Sequence, residues 1–175
     1  MRLFVLWILF IVSAANAQMP DFKQPVLNAM KDVNVLVGEW QGRGYRMDPS
    51  GEKQWSNVEE EIEFKLDGTI LQIEGHGKND EGKVVHDAMA ILYFDAFQHV
   101  YKMDSHLASG LYTNASFEVL KSNEQFQWSF DTPMGKIRYT IDITDDGSKW
   151  NEIGEFSQDG TNWIKTFEMN LQKKD

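Results

Sequence analysis

From Gly38 onward the chain is a succession of short segments in which apolar and polar residues alternate with a period of two. Val58, Ile62, Phe64 and Leu66 oppose Glu59, Glu61 and Glu63, and Phe126, Trp128 and Phe130 oppose Gln125, Gln127 and Ser129. Ile137, Tyr139, Ile141 and Ile143 oppose Arg138, Thr140 and Asp142, while Phe167, Met169 and Leu171 oppose Thr166, Glu168 and Asn170. Successive side chains of a strand point to opposite sides of its sheet, so this rhythm predicts antiparallel strands with one buried and one wetted face. Turn residues separate the segments at Pro49-Ser50-Gly51, Asp67-Gly68, Asn79 to Gly82, Pro133 to Gly135, Asp145 to Gly147 and Asp159-Gly160. Gly135, Gly147 and Gly160 are 12 and 13 residues apart, the spacing of consecutive hairpins.

Counted from turn to turn, the pattern predicts about ten strands. They fall near residues 38–48, 53–66, 69–78, 83–93, 98–105, 109–120, 124–131, 136–144, 148–157 and 161–172, with the weakest turn signals between Phe94 and Leu120. No helical stretch lies between them to carry parallel crossovers. Ten meandering strands left open would expose two edges, and closure removes both. The expected fold is therefore all-β, an up-and-down antiparallel barrel. Before it, Leu27, Met30, Val33 and Val37 recur at three- and four-residue steps, predicting a short helix that begins after Pro25.

The opening reads as an export signal: Met1-Arg2, an apolar run from Leu3 to Val12, and the small residues Ala15 and Ala17 before Gln18. The run is shorter than the roughly 20 apolar residues of a spanning helix. The division is thus a cleavable segment 1–17, a lead and helix over 18–37, and a barrel over 38–175, exported to a periplasm or secreted. There is no cysteine, so stability outside the cytoplasm must come from packing. The net charge of -10, with no basic stripe, disfavours nucleic acid and anionic membrane surfaces as partners. No stable membrane insertion is expected after cleavage.

Two stretches resemble the calycin or lipocalin-like barrels, and within them the nitrobindin-type barrels and related uncharacterised bacterial domains. The first is Leu36-Val37-Gly38-Glu39-Trp40-Gln41-Gly42-Arg43-Gly44; the second runs from Gly154 to Trp163 and continues through Phe167 to Leu171. The resemblance implies that Gly38 turns the chain off the helix and that Trp40 plugs one barrel end. It also implies a cation from the last strand lying across the indole, for which Lys165 is the candidate. Nitrobindin-type barrels hold haem through a histidine near the C-terminal end. This chain has His76, His86, His99 and His106 and none beyond, so that position is empty. No cofactor is expected, with haem on another histidine as the alternative.

The remaining chemistry is sparse. His76 and His86 flank one turn beside Asp87, but adjacent strand residues face opposite ways, leaving the metal-ligand set incomplete. Ser105-His106 lacks the rest of a nucleophilic constellation. Glu60 shares the apolar face of Val58, Ile62 and Phe64, where a carboxyl must be paired, hydrated or protonated. It is either a polar anchor for a ligand or a rim residue. The inferred inner face comprises Glu60, Ile62, Phe64, Met89, Ile91, Tyr101, Met103, Trp128, Tyr139, Ile141, Phe167 and Met169. Such a lining suits a small hydrophobic or amphipathic molecule, or the same residues pack against each other. Three readings remain: a non-catalytic small-molecule carrier, a haem barrel with redox or isomerase activity, and an envelope interaction module with a filled core.

Overall fold

Pro25 lacks an N–H, which costs nothing in the first turn of a helix, where those donors have no intrahelical partner. Accordingly, in the computed structural model, which describes residues 21–174, helix α1 (Lys23–Met30) begins two residues before Pro25. It tightens into a 3-10 helix over Lys31–Leu36, burying Met30, Val33 and Leu36 on one side. Gly38, at a φ of 130°, then turns the chain into the sheet. The export segment and its cleavage site at Ala17 lie outside the described residues.

Ten antiparallel strands follow: β1 (Gly38–Met47), β2 (Lys53–Lys65), β3 (Ile70–Lys78), β4 (Val84–Asp95) and β5 (Val100–Leu107), then β6 (Tyr112–Lys121), β7 (Gln125–Thr132), β8 (Gly135–Thr144), β9 (Lys149–Ser157) and β10 (Ile164–Lys173). Each pairs with its chain neighbours, and β10 pairs with β1 to close the barrel. The expected fold class is observed. The weakly signalled region resolves through side-chain chemistry instead of glycine. Asp95 accepts hydrogen bonds from the backbone N–H groups of Phe97 (2.9 Å) and Gln98 (3.0 Å), and His99 takes the positive φ of 55°.

The closing seam needs two glycines. Gly42 lies opposite Leu171, and a Cβ at residue 42 would stand 2.0 Å from the carbonyl oxygen of Asn170. At Gly44 the nearest atom, the carbonyl oxygen of Glu168, would be 3.0 Å away. The Gly-x-Gly after Trp40 is thus a place where two backbones approach too closely for a side chain.

One barrel end is sealed by the helical segment. Tyr101 donates its hydroxyl to the Ala29 carbonyl (2.7 Å). Asn123, between β6 and β7, accepts the Val35 N–H (2.8 Å) and donates to the Lys31 carbonyl (3.0 Å). Trp40 is fully buried beneath this plug, gives its indole N–H to the Leu36 carbonyl (2.8 Å), and meets Trp150 edge-on at 5.5 Å. The cation over its ring is Lys173, at 5.0 Å, which also donates to the Val35 carbonyl (3.1 Å). This corrects the expectation for Lys165. A bulge between Lys165 and Phe167 adds one residue to β10 and reverses the alternation, so Lys165 faces outward and pairs with Glu168 at 2.7 Å. Lys173 is the residue in register with Trp40.

Gly42→Ala should destabilise the barrel by about 3 kcal/mol or prevent folding, because a backbone collision cannot be relieved by a rotamer change. Gly51→Ala, at positive φ but with nothing within 4 Å, should cost only about 1 kcal/mol. Urea midpoints of the two variants measure the contrast; equal losses would mean that the seam can open to admit a methyl group.

Candidate functional site

Period-two alternation in a closed barrel sends every second residue inward, and what those residues are decides whether the interior is filled. In the half nearest the helix they are large. Trp40, Ile62, Leu71, Leu92, Phe117, Phe126, Ile143, Trp150 and Leu171 are each 6% exposed or less. Towards the other end, where the β1–β2, β3–β4, β5–β6, β7–β8 and β9–β10 connections lie, the inward positions split into two unlike walls. On β2 to β6 most are small, Ser56, Gly75, Gly77, Ala88, Ala90, Ser105, Thr113 and Ala115, interspersed with Val58, Glu60, His86 and Leu107. On β7 to β10 they are aromatic or branched: Trp128, Phe130, Ile137, Tyr139, Phe156 and Phe167, all of them partly exposed. Small residues cannot reach across to the facing wall, so this half, the cup, is less closely packed than the other and its aromatic wall stays partly exposed.

The aromatic wall is ordered by stacking. Tyr139 lies over Trp128 with ring centroids 4.0 Å apart and planes 9° from parallel, and Phe130 continues the stack at 5.8 Å. Gly154 makes room for it: a Cβ there would come within 2.5 Å of the Tyr139 ring. Contacts of this kind contribute about 1 kcal/mol each beyond area burial.

Two carboxyl groups sit where the packed half meets the cup. Glu152, 5% exposed, accepts the indole N–H of Trp128 (3.0 Å) and of Trp150 (3.2 Å). Desolvation nevertheless pushes its pKa up to about 7, with the two indole donors pulling the other way. Glu60, on β2 opposite Gly75, is partly buried and stands over that glycine. A Cβ at residue 75 would be 2.8 Å from each of its oxygens. Among the described residues its carboxyl has no hydrogen-bond donor, and desolvation followed by repulsion from Glu152 raises its pKa to about 8. Tyr139, facing the same space, is pushed up to about 12 by desolvation and then by the Glu152 charge. The cup floor is therefore acidic, partly protonated at neutral pH, and equipped with one carboxyl whose lone pairs are free.

Most of the residues read as inward do face inward, but they divide between the two halves. Glu60, Trp128, Tyr139 and Phe167 meet at the cup. Ile62, Phe64, Tyr101, Met103 and Ile141 belong to the packed half, and Met169 lies buried between them. Met89 and Ile91 are a correction: they lie on the outer face, because Ala88, Ala90, Leu92 and Phe94 take the inward positions of β4. The larger side chains on that strand point to solvent and mislead a reading that follows hydrophobicity alone. Glu152 is absent from the inward set inferred from the sequence, because a lone glutamate between Asn151 and Ile153 gives no clear alternation. The period-two set Trp150, Glu152, Gly154 and Phe156 was the available signal.

The histidines scatter. His76 faces outward and pairs with Asp87 (3.1 Å), and His106 faces outward against Tyr112 (ring centroids 5.0 Å apart). His99 is in the β4–β5 turn. His86 alone takes an inward position, exposed at the cup mouth, where desolvation lowers the pKa of its imidazole. Among the described residues no group of three acidic or histidine side chains could hold a metal ion. Two indentations on the outer wall, of about 380 Å³ across β1, β9 and β10 and about 260 Å³ beside His76, are lined largely by the solvated face. Neither includes Glu60 or Glu152.

The carboxyl pair sets a pH signature. A carboxyl whose folded pKa is raised stabilises the fold fully below its unfolded value, and that contribution is lost as pH rises through the folded value. For these groups the window runs from the ordinary 4.5 to about 7 for Glu152 and about 8 for Glu60. Stability should therefore decline between about pH 5 and about pH 9, and Glu60→Gln should remove on the order of 2 kcal/mol of that decline. Urea unfolding of both proteins at the two pH values checks this; parallel profiles would contradict it.

No family model and no curated protein matches the chain. Among solved structures the barrel is similar to that of Rv2717c from M. tuberculosis, with 14% identity over 86% of this chain and 98% of that one and a TM-score of 0.61. It is also similar to the S-type phycobiliprotein lyase CPES from Guillardia theta, with 12% identity over 89% of this chain and 98% of that one and a TM-score of 0.56. At such identities the likeness is one of fold alone: a ten-stranded antiparallel barrel.

Proposed function

We propose that this chain is an exported, non-catalytic carrier whose barrel holds one small hydrophobic or amphipathic molecule in its open half. The observation that supports it most is the asymmetry of the interior. The residues beneath the helix are almost wholly excluded from solvent, whereas Trp128, Phe130, Ile137, Tyr139 and Phe167 remain partly exposed on inward positions. Leaving apolar surface open inside a barrel forfeits stabilisation of about 25 cal/mol per Å², and a ligand that covers that surface recovers it. A few convergent polar groups in an apolar concavity are the usual make-up of a small-molecule site. The presence of a phycobiliprotein lyase among the neighbours supports the same reading.

Export rests on the N-terminal pattern of Leu3 to Val12 followed by Ala15 and Ala17. A second reading, a haem barrel of the nitrobindin type with redox or isomerase activity, draws support from His86, whose inward position at the mouth offers one axial nitrogen. That residue is far in sequence from the C-terminal position the resemblance implies.

Native mass spectrometry of residues 18–175 purified from an exporting host should show an adduct that is lost on denaturation. Thr113→Trp, which fills the cup from the small-residue wall, should abolish the adduct while the protein stays folded. His86→Ala should leave it in place. A haem mass that disappears in His86→Ala would replace the carrier reading by the second one.

A further inference from the structure

Resting on the carrier reading, the cup's geometry points to the class of its ligand: we propose that it takes a flat organic cation, whose ring lies against the Tyr139–Trp128 stack and whose nitrogen reaches the Glu60 carboxyl.

Three independent features of the cup support this. The first is shape. Tyr139 and Trp128 stack face to face with their planes nearly parallel, and Gly154 lets the tyrosine ring lie against β9, so the stack ends in the face of the partly exposed Trp128 that is turned away from Tyr139. A planar partner stacks on such a face with the least loss of contact, and a positive charge on that partner is drawn to the negative π surface. The second is the unused acceptor. Glu152 already receives two indole N–H groups, but Glu60 receives none from the described residues, and its carboxyl lies in the space that a side chain at Gly75 would take. Once ionised, such a carboxylate is acceptor-only and in partial enclosure is satisfied best by a charged donor. The third is the charge balance. The two carboxyls repel each other, and a bound cation would turn that repulsion into attraction from both.

The titratable and charged groups facing this space are Glu60 from β2, Tyr139 from β8, Glu152 from β9, and, at the mouth, His86 from β4 and Arg46 from β1. Lys173 is engaged at the closed end with Trp40 and Val35. No cation of the chain therefore occupies the floor among the described residues. Because Glu60 holds its proton until about pH 8, loading a cation releases that proton. Affinity for the cation therefore rises with pH until Glu60 is ionised and then levels.

The test uses three probes of one size: 9-aminoacridine, cationic throughout the range, 9-anthracenemethanol, neutral, and 9-anthracenecarboxylate, anionic. Dissociation constants for the mature chain are read by fluorescence titration between about pH 6 and about pH 9. The expected order at the upper end is the cation tightest by about tenfold or more over the anion. Glu60→Gln should remove most of that preference and flatten the pH slope for the cation. Glu59→Gln makes the same charge change on the exposed outer face of the same strand, so it should leave both unchanged and separates the site from general attraction to an acidic protein. Circular dichroism confirms that the variants are folded. If all three probes bind equally, or the anion binds best, or both variants behave alike, the cation assignment is wrong while the carrier reading stands. If none of the three binds, both fail.

Discussion

The barrel depends on the approach of β1 to β10. Nine of the ten strand pairings join chain neighbours through short turns, but the seam joins the first strand to the last across the whole domain. Its loop-closure cost is the largest of any pairing. The backbones come together there so tightly that residue 42 has no room for a Cβ. Closure removes both sheet edges and so protects the chain from edge-to-edge association. It also fixes which residues face inward on all ten strands at once, since the parity of β10 is set by its register with β1. The bulge beside Thr166 tunes that parity, keeping Phe167, Met169, Leu171 and Lys173 inside while Lys165 joins Glu168 and Tyr45 on the outer surface.

Within the closed wall the two halves do different work. The helical plug, Trp40 and the large side chains beneath it supply a dense core of the kind that lets a chain without disulfides stay folded. The stability of that half permits the other to depart from good packing. Gly75, Gly77, Ala88 and Ala115 contribute little side-chain volume to their wall, and the Tyr139–Trp128–Phe130 stack leaves apolar surface partly exposed. Glu60 and Glu152 place two acids where desolvation disfavours their charged forms. Each of these choices is unfavourable for folding alone, and together they converge on one concave space. Such local conflicts with foldability mark functional sites more often than chance.

Fold was legible because it rests on period and punctuation. The alternation on β2, β7, β8 and β10 and the glycines at 135, 147 and 160 placed the strands to within a few residues of the observed ones. Where a turn is made by an aspartate side chain, as at Asp95, no glycine announced it, and that region was the hardest to divide. Side-chain direction was legible only where one face was clearly oily. On β4 both faces carry apolar residues, so Met89 and Ile91 were placed inside when the alanines are. The division into a packed half and a cup could not be read at all, since it depends on which residues of distant strands come level around the barrel. The assignment of the indole's cation failed for the same reason: a single bulge changes the parity of everything beyond it.

The most direct test of this account is the titration of the Glu60 side-chain carboxyl in the folded protein. It is followed by carbon-13 NMR of glutamate-labelled material, with Glu60→Gln assigning the resonance. A partly enclosed, unpaired carboxyl beside Glu152 predicts a midpoint near 8. A midpoint at the ordinary glutamate value of 4.5 would show Glu60 to be fully hydrated, and the enclosed acidic cup on which the proposed function rests would not exist.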